Sequence, residues 1–354
     1  MKTILITGGA GFVGSQMALS FKAKYPEYEI FVMDNLKRRG SELNLPRLKS
    51  AGIHFVHGDI RNKEDFDGLP KIDCILEASA EPSVLAGIDS TPDYLVNTNL
   101  NGTINCLNFA TKNKSDFIFL STSRIYPIET IESIHYTEAD TRFEIAEEQT
   151  IKGFSAKGIS EEFPLDKYRS LYGTTKLASE LFIQEYKQFF GLRTVINRCG
   201  VLTGPWQMGK IDQGVVVLWL AKHFWNQQLC YIGYGGKGKQ VRDMLHTADL
   251  FRLIDWQMHH LEEINGEIFN VGGGREISVS LQELTMLSRE VTGHTIPIHE
   301  VPENRTADIR IYITDNTKVT EKTGWKPEIG PRQIIQEIYE WMKENEAQLA
   351  SILK

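Results

Sequence analysis

The stretch from Lys2 to Gly14, Lys-Thr-Ile-Leu-Ile-Thr-Gly-Gly-Ala-Gly-Phe-Val-Gly, constrains this chain more than any other. Ile4, Leu5 and Ile6 form an apolar run without alternation, the pattern of a strand buried on both faces. Glycines follow at Gly8, Gly11 and Gly14, and an amphipathic segment runs from Phe12 to about Lys24. That spacing permits a tight turn, close approach of a pyrophosphate to bare backbone, and close packing of helix on strand. The free N–H groups at the helix start then meet the phosphates. Glycine patterns alone are weak signals. Asp34 strengthens this one by ending a second apolar strand (Ile30 to Met33) twenty residues after Gly14, where a carboxylate can bind an adenosine ribose diol. Strand, glycines, helix and acid together predict dinucleotide binding by Gly8, Gly11, Phe12, Val13, Gly14 and Asp34.

Asn35 and a basic loop, Lys37-Arg38-Arg39, follow. The loop could reach a ribose 2′-phosphate, but the Asp34 carboxylate would repel one, so NAD is expected rather than NADP. Ile53 to Val56 reads as a third strand, followed by Gly58-Asp59-Ile60-Arg61. Asp59 could reach the adenine amino group with Ile60 against the ring, or it could cap the next helix. Asp73 to Leu76 is a fourth strand running into Glu77-Ala78-Ser79-Ala80, where small residues such as Ala78 and Ala80 let a cofactor lie close at the sheet's C-terminal edge. Pro92 to Ala110 reads as one long helix, in which Asn97, Asn99 and Asn101 are poor helix formers, so at least one is expected to have a task there. Phe117 to Leu120 is a fifth strand that delivers Ser121-Thr122-Ser123-Arg124.

Tyr126 to Tyr172 spans a Glu-rich stretch of low periodicity, expected to be a partly ordered, lid-like insert over about 127–170. A helix opening at Leu171 and a sixth strand from Arg193 to Ile196 continue the alternation. The expected fold class is therefore α/β, a doubly wound parallel Rossmann sheet with a smaller α/β substrate domain on its C-terminal side. Residues 1–200 are assigned to the cofactor domain, with 240–262 returning to it; 201–239 and 263–354 are assigned to substrate binding. Helices are expected at Val215 to Phe224, Ala248 to His260 and Leu281 to Thr292, with Pro331 to Lys354 as a closing amphipathic helix.

At 354 residues the chain can bury a large core in one or two domains. Its net charge of −7 argues against nucleic-acid or acidic-membrane partners, so any phosphate ligand needs locally placed cations. Cys74, Cys106, Cys199 and Cys230 are scattered, with no CxxC and no histidine cluster, which predicts reduced thiols, no metal site and a cytoplasmic location. The chain begins on its first strand, so no signal peptide is expected, and no apolar run reaches membrane-spanning length.

Tyr172 and Lys176 lie four apart on a helix and so share one face. The phenol's ordinary pKa is about 10, and a neighbouring ammonium favours the phenolate. Such a phenolate can take a hydroxyl proton while hydride leaves the same carbon for a nicotinamide cofactor, with Thr122 holding the hydroxyl in line. A Tyr-x-x-x-Lys pair is common by chance, and only the N-terminal fingerprint and the Ser-Thr-Ser ending strand five make this one meaningful.

Gly8-Gly9-Ala10-Gly11-Phe12-Val13-Gly14, Asp34-Asn35, Gly58-Asp59-Ile60, Asn99-x-x-Gly102-Thr103, Ser121-Thr122 with Tyr126, and Tyr172-x-x-x-Lys176 together resemble the extended short-chain dehydrogenase/reductase family of nucleotide-sugar epimerases and dehydratases. Over a shorter span, Gly204 to Gly214 and Gly238 to Asp243 are similar to its CDP-paratose 2-epimerase (tyvelose epimerase) branch. The resemblance implies NAD as cofactor, Thr122, Tyr172 and Lys176 as catalytic residues, and Asn99 near the cofactor. It also implies Arg242 and Arg305 on the substrate's diphosphate, with Ser123, Arg124, Gln207, Lys210 and Gln213 as further substrate contacts. Guanidinium groups suit that task because they bind phosphate bidentately.

The family's dehydratases carry Asp-Glu directly after the catalytic threonine, where this chain has Ser123-Arg124; the glycine usual after Tyr126 is Pro127, and an asparagine of many relatives falls on Val201. Dehydration is therefore disfavoured. The expected activity is an NAD-dependent epimerase acting on a nucleotide sugar, a CDP-hexose at C2, through a transient ketone. Its rivals are a 4-epimerase or ketoreductase of the same family and, from another class, a non-catalytic NAD-binding regulator. Family members pair two helices across a two-fold axis, which implies a homodimer or homotetramer through Pro92–Ala110 and Tyr172–Phe190.

Overall fold

The computed structural model describes residues 1–88, 90–209 and 213–354. The chain runs β1 (Thr3–Thr7), α1 (Phe12–Lys24), β2 (Glu29–Asp34), α2 (Leu45–Ser50), β3 (His54–His57), β4 (Cys74–Glu77), α3 (Asp93–Val96), α4 (Gly102–Asn113) and β5 (Asp116–Thr122). Next come α5 (Ile128–Glu132), β6 (Tyr136–Glu138), β7 (Phe143–Ile145), β8 (Phe154–Ser155), β9 (Gly158–Ile159), α6 (Leu171–Phe190), β10 (Thr194–Cys199) and β11 (Val201–Thr203). It continues through α7 (Val215–Phe224), β12 (Leu229–Ile232), β13 (Val241–His246), α8 (Thr247–His259), β14 (Ile268–Val271), β15 (Ser278–Ser280) and α9 (Leu281–Thr292). The last elements are β16 (Ile298–Val301), β17 (Ile311–Tyr312), α10 (Thr317–Thr323), α11 (Pro331–Glu344) and α12 (Glu346–Leu353).

Two compact units form: Met1–Thr122 with Leu171–Arg198 and Leu250–Phe269, and Ser123–Ser170 with Cys199–Asp249 and Asn270–Lys354. The central sheet has seven parallel strands in the order β14-β10-β5-β4-β1-β2-β3, so the α/β, Rossmann-type expectation holds. The order reverses between β1 and β4, the kind of switch point at which open parallel sheets bind ligands. Leu5, Ile75, Phe117, Phe119 and Ile196 are fully or almost fully buried and pack with Cys106 and Leu107 of α4. In register, Glu77 at the end of β4 faces Thr7 on β1 and Phe119 on β5.

The expected single helix over Pro92–Ala110 is interrupted. Asn97–Asn101 forms a π-helical turn between α3 and α4. Its extra residue lets the Asn99 side chain turn inward, where it is wholly buried. Asn99 Oδ1 accepts from the Glu81 N–H at 2.7 Å, and Nδ2 donates to the Glu81 carbonyl at 3.1 Å and to Thr175 Oγ1 at 3.2 Å. That is the task the asparagine cluster foreshadowed, since π-turns are rare and gather at functional positions.

In the second unit β13 lies between β11 and β15 and also pairs with β17, while β12 pairs with β16. Trp219 of α7 donates to Thr285 of α9 at 2.9 Å and stacks on Tyr231. Ser280 and Glu283 form a reciprocal capping box that starts α9. The stretch expected as one closing helix is two, because Asn345 leaves helical geometry and caps Trp341 through its side chain.

The stretch expected to be a partly ordered, lid-like insert carries regular structure of its own. After α5 it folds as two short hairpins, β6 with β7 and β8 with β9, inside the second unit. The Arg310 guanidinium anchors it, lying 4.2 Å from the Tyr136 ring centroid, 5.0 Å from that of Tyr234 and 5.6 Å from that of Phe143. Glu132 Oε2 faces Arg310 at 3.6 Å, and Glu132 Oε1 accepts from the Tyr234 hydroxyl at 3.1 Å. Cation–π contacts of this kind gain strength as they lose water.

Candidate active site

The glycine turn shows its logic in distances. Gly8 has φ +64°, and a Cβ there would lie 2.8 Å from the Ala78 carbonyl oxygen. A Cβ on Gly14 would lie 2.3 Å from the Gly8 carbonyl oxygen. No side chain caps the start of α1, which begins after Gly11 with Phe12 and Val13. A helix N-terminus presented this way suits a pyrophosphate.

Asp34, at the end of β2, accepts hydrogen bonds from the Ala10 N–H at 3.1 Å and the Leu36 N–H at 2.8 Å. Burial pushes its carboxyl pKa up, and these backbone donors oppose the rise. Asn35 donates to Asp59 at 2.8 Å, and Arg61 pairs with Asp59 at 2.6 Å. Burial works against ionisation of Asp59, but Arg61 and Asn35 outweigh it and hold the carboxyl at about 2. Asp59 does not cap the following 3₁₀ turn, whose N-cap is Asn62. Ile60 is buried against Gly102, where a Cβ would meet its Cδ1 at 2.5 Å. Lys37, from the basic loop, sits 3.3 Å from the Tyr94 ring centroid. Ala78 and Ala80 are half-buried just after β4. A dinucleotide fits this set, because the tight turn ahead of the helix start closes only while Gly8, Gly11 and Gly14 lack side chains, each of which would crowd backbone oxygens at 3.0 Å or less.

Thr122 ends β5, and Tyr172 and Lys176 occupy successive turns of α6; all three are buried. Lys176 is 1% exposed, with Nζ 3.8 Å from Glu77 Oε2 and 3.8 Å from the centroid of Phe119. One turn further on, Glu180 accepts from Ser121 Oγ at 2.5 Å and pairs with Arg198 of β10 at 2.8 Å. This buried carboxylate ties β5, α6 and β10 together beside Thr122. Glu180 and Arg198 escaped notice in the sequence, although Tyr172, Lys176 and Glu180 are evenly four apart.

Within the second unit the loop at 305–309 gathers three of the expected substrate residues. Arg124 donates to the Ala307 carbonyl at 3.3 Å. Arg242 reaches Asp308 at 3.0 Å and the Ile309 carbonyl at 2.5 Å, while the exposed Arg305 accepts from the Asp308 N–H at 3.3 Å through its backbone carbonyl. Ser123 is buried and Gln213 half-buried. The Gln207 amide is spent locally, donating to the Leu202 carbonyl at 2.9 Å and accepting from Thr203 at 3.1 Å. Lys210 lies outside the described residues.

A glycine cradle on a parallel sheet, with an acid ending β2, defines a nucleotide-binding α/β protein. The model of the NAD dependent epimerase/dehydratase family matches residues 4–272, and the chain belongs to that family. It is thus an NAD-dependent enzyme. It is 33% identical to CDP-paratose 2-epimerase of Salmonella typhi over 96% of this chain and 98% of that one. It is 26% identical to dTDP-glucose 4,6-dehydratase of Streptomyces niveus over 97% and 94%. The structure of UDP-glucose 4-epimerase with UDP-glucose from Thermotoga maritima superposes with a TM-score of 0.77 at 26% identity, covering 97% of this chain and 99% of that one.

Two expectations follow from this geometry. Glu180→Ala should destabilise the first unit by about 3–5 kcal/mol, because it strands the Arg198 charge in the interior; urea unfolding would measure this, and a loss below about 1 kcal/mol would show that Arg198 finds water. Asp34→Ala should weaken NAD binding by about 1–3 kcal/mol. Calorimetry on cofactor-stripped protein checks the second, and an unchanged affinity would remove Asp34 from the cofactor site.

Proposed function

We propose that the protein is a nucleotide-sugar epimerase that inverts C2 of a CDP-linked hexose. The observation that carries this reading is a complete Thr122, Tyr172 and Lys176 set followed by Ser123 and Arg124. A dehydratase must move a proton and expel water, and this chain has no acid pair after Thr122 for that work. The 33% likeness to CDP-paratose 2-epimerase, end to end on both chains, supports the finer choice of base and carbon.

Bound NAD supplies an acceptor for a hydride from the sugar carbon and later its donor. Tyr172 Oη takes the proton from the hydroxyl on that carbon and returns it after the ketone has turned its other face. The Lys176 ammonium favours the phenolate and would hold the nicotinamide ribose, and Thr122 Oγ1 keeps the hydroxyl in line. Arg305 on the 305–309 loop, with Arg124 and Arg242, whose guanidinium groups bond to that loop, are the local cations that an acidic protein needs for a diphosphate. The working compartment is proposed to be the cytoplasm, supported by four cysteines that form no disulfide among the described residues. No helix among those residues is long and apolar enough to cross a membrane.

A 4-epimerase is the second reading, favoured by the likeness to the UDP-glucose 4-epimerase structure. The same proton-transfer set could serve either carbon. Incubation with CDP-, UDP-, GDP- and dTDP-hexoses, followed by NMR of the anomeric region, selects the substrate. Deuterium at the oxidised carbon should slow turnover and be retained in the product. A primary isotope effect confined to deuterium at C4 would replace the 2-epimerase with the 4-epimerase. Tyr172→Phe should lower turnover by about 10²–10⁴-fold while NAD binding stays intact, the range for losing a general acid–base group. Unchanged turnover would end the mechanism.

Assembly is proposed to be a homodimer or a dimer of dimers. Leu181, Phe182, Phe189 and Phe190 on α6 are 56%, 42%, 73% and 61% exposed, more apolar surface than one helix leaves to water without a partner. Sedimentation at micromolar concentration should give a dimer or larger, and Phe189→Glu should shift it toward monomer; wild-type protein sedimenting as monomer would reject the interface.

A further inference from the structure

Glu77 is the least comfortable residue in the first unit. Its side chain has no exposure to water, at the end of the central strand β4. The Thr7 hydroxyl, the Ser79 N–H and the Lys176 ammonium surround the carboxylate, yet neither oxygen closes a hydrogen bond of normal geometry. Buried carboxylates without partners are rare and ask for an explanation. Glu180, one turn past Lys176 on α6, makes the contrast plain, with Ser121 and Arg198 both bonded to it.

The groups facing Glu77 are few. β1 presents Thr7 and β5 presents Phe119. α4 presents Cys106, whose thiol is pushed well up by burial and then by the charge of Glu77. α6 presents Lys176, with Nζ 3.8 Å from Oε2. Among the described residues Lys176 is the only charged group acting on Glu77. The ammonium that tunes the Tyr172 phenol is therefore also the sole counter-charge of a buried acid.

We propose that Glu77 is a positioning residue that competes with Tyr172 for the charge of Lys176, so that its ionisation state sets the acidity of the Tyr172 phenol. The inference rests on the reading of Tyr172 and Lys176 as the proton-transfer pair. Burial raises the Glu77 carboxyl to about 7, against the opposing pull of Lys176. Below that pH Glu77 is a neutral acid, and the full ammonium charge favours the phenolate. Above it Glu77 is an anion, the pair is neutral, and Tyr172 holds its proton more tightly. The two ionisations oppose each other, as coupled sites do. The sign is fixed: a carboxylate anion near the ammonium raises the phenol pKa, and removing that anion lowers it.

The test is a ¹³C NMR titration of the protein with its bound cofactor, wild type against Glu77→Gln, labelled at tyrosine Cζ and glutamate Cδ. Tyr172→Phe and Glu77→Gln assign the two signals by their loss. Glu77 is expected to titrate near neutrality, and Tyr172 in the Gln variant to titrate about one pH unit lower than in wild type. The acid limb of the kcat profile should move down with it, which a purely structural role for Glu77 would not cause. Glu77 titrating in the ordinary carboxylate range, or the same Tyr172 midpoint in both proteins, overturns the proposal. Lys176→Met provides a second arm if Glu77→Gln folds poorly. Loss of the ammonium should move the Glu77 midpoint up, and an unmoved midpoint again overturns the coupling. Turnover that survives Tyr172→Phe defeats the proton-transfer reading instead, and the two midpoints still decide whether Glu77 and Tyr172 are coupled.

Discussion

Everything proposed for the chemistry depends on where α6 sits along the edge of the sheet, and a buried ion pair decides that. Apolar packing alone tolerates small slides of a helix over a parallel sheet, because one β-branched or aromatic neighbour substitutes for another. The Glu180 carboxylate does not tolerate them. It takes Ser121 Oγ from β5 and the Arg198 guanidinium from β10, all three buried. A shift of one residue would leave two charges unpaired in the interior. Buried pairs add little net stability, since desolvation offsets their attraction. Their value here is registration, which places Lys176 and Tyr172, one and two turns back on the same helix face, at a fixed height relative to Thr122.

A second arrangement of the same kind governs the other unit. Arg310 is held by Glu132 and three aromatic rings, all of them brought by the hairpin insert or by the 3₁₀ turn at Tyr234–Gly236. The neighbouring loop at 305–309 holds Arg124 and Arg242 through carbonyl and carboxylate groups. An acidic protein of net charge −7 thus brings the guanidinium groups of Arg124 and Arg242, from separate parts of the chain, to one loop. Asp308 has a particular part in this. Paired with Arg242, it keeps a half-buried cation from standing alone.

Legibility in the sequence followed the range of the interactions. β1, α1, α7 and α9 stand where periodicity and glycine punctuation put them, because those signals are local. The parallel order and NAD were legible for the same reason: turn, strand and acid lie within one βαβ unit. The π-turn was visible only as a surplus of asparagine, since its cause, the reach of Asn99 to Glu81 and Thr175, spans distant segments. The insert looked irregular because its order comes from Arg310, far along the chain, and not from its own pattern. Asn345 split the closing helix through a side-chain cap that amphipathic periodicity, which continues past it, conceals. Glu180 and Glu77 were missed for a different reason. A glutamate in a helix or at a strand end is ordinarily a solvated residue, and only the folded structure shows that both are fully buried.

Those two glutamates are the same side chain in the same unit with opposite surroundings, and the difference assigns their roles. Glu180 has donors on both oxygens, Ser121 on one and the Arg198 guanidinium on the other, so it serves as a fixture. Among the described residues Glu77 has no normal hydrogen bond, and its one counter-charge is an ammonium, the cation whose pKa yields most readily to burial. A carboxyl in that position keeps both protonation states within reach near neutrality. Had the requirement been only to hold Lys176 in place, hydrogen-bond donors around Glu77 would fix it more firmly, as they do for Glu180. Their absence leaves a titratable acid against the lysine, which is the arrangement that lets one proton govern how tightly Tyr172 holds another.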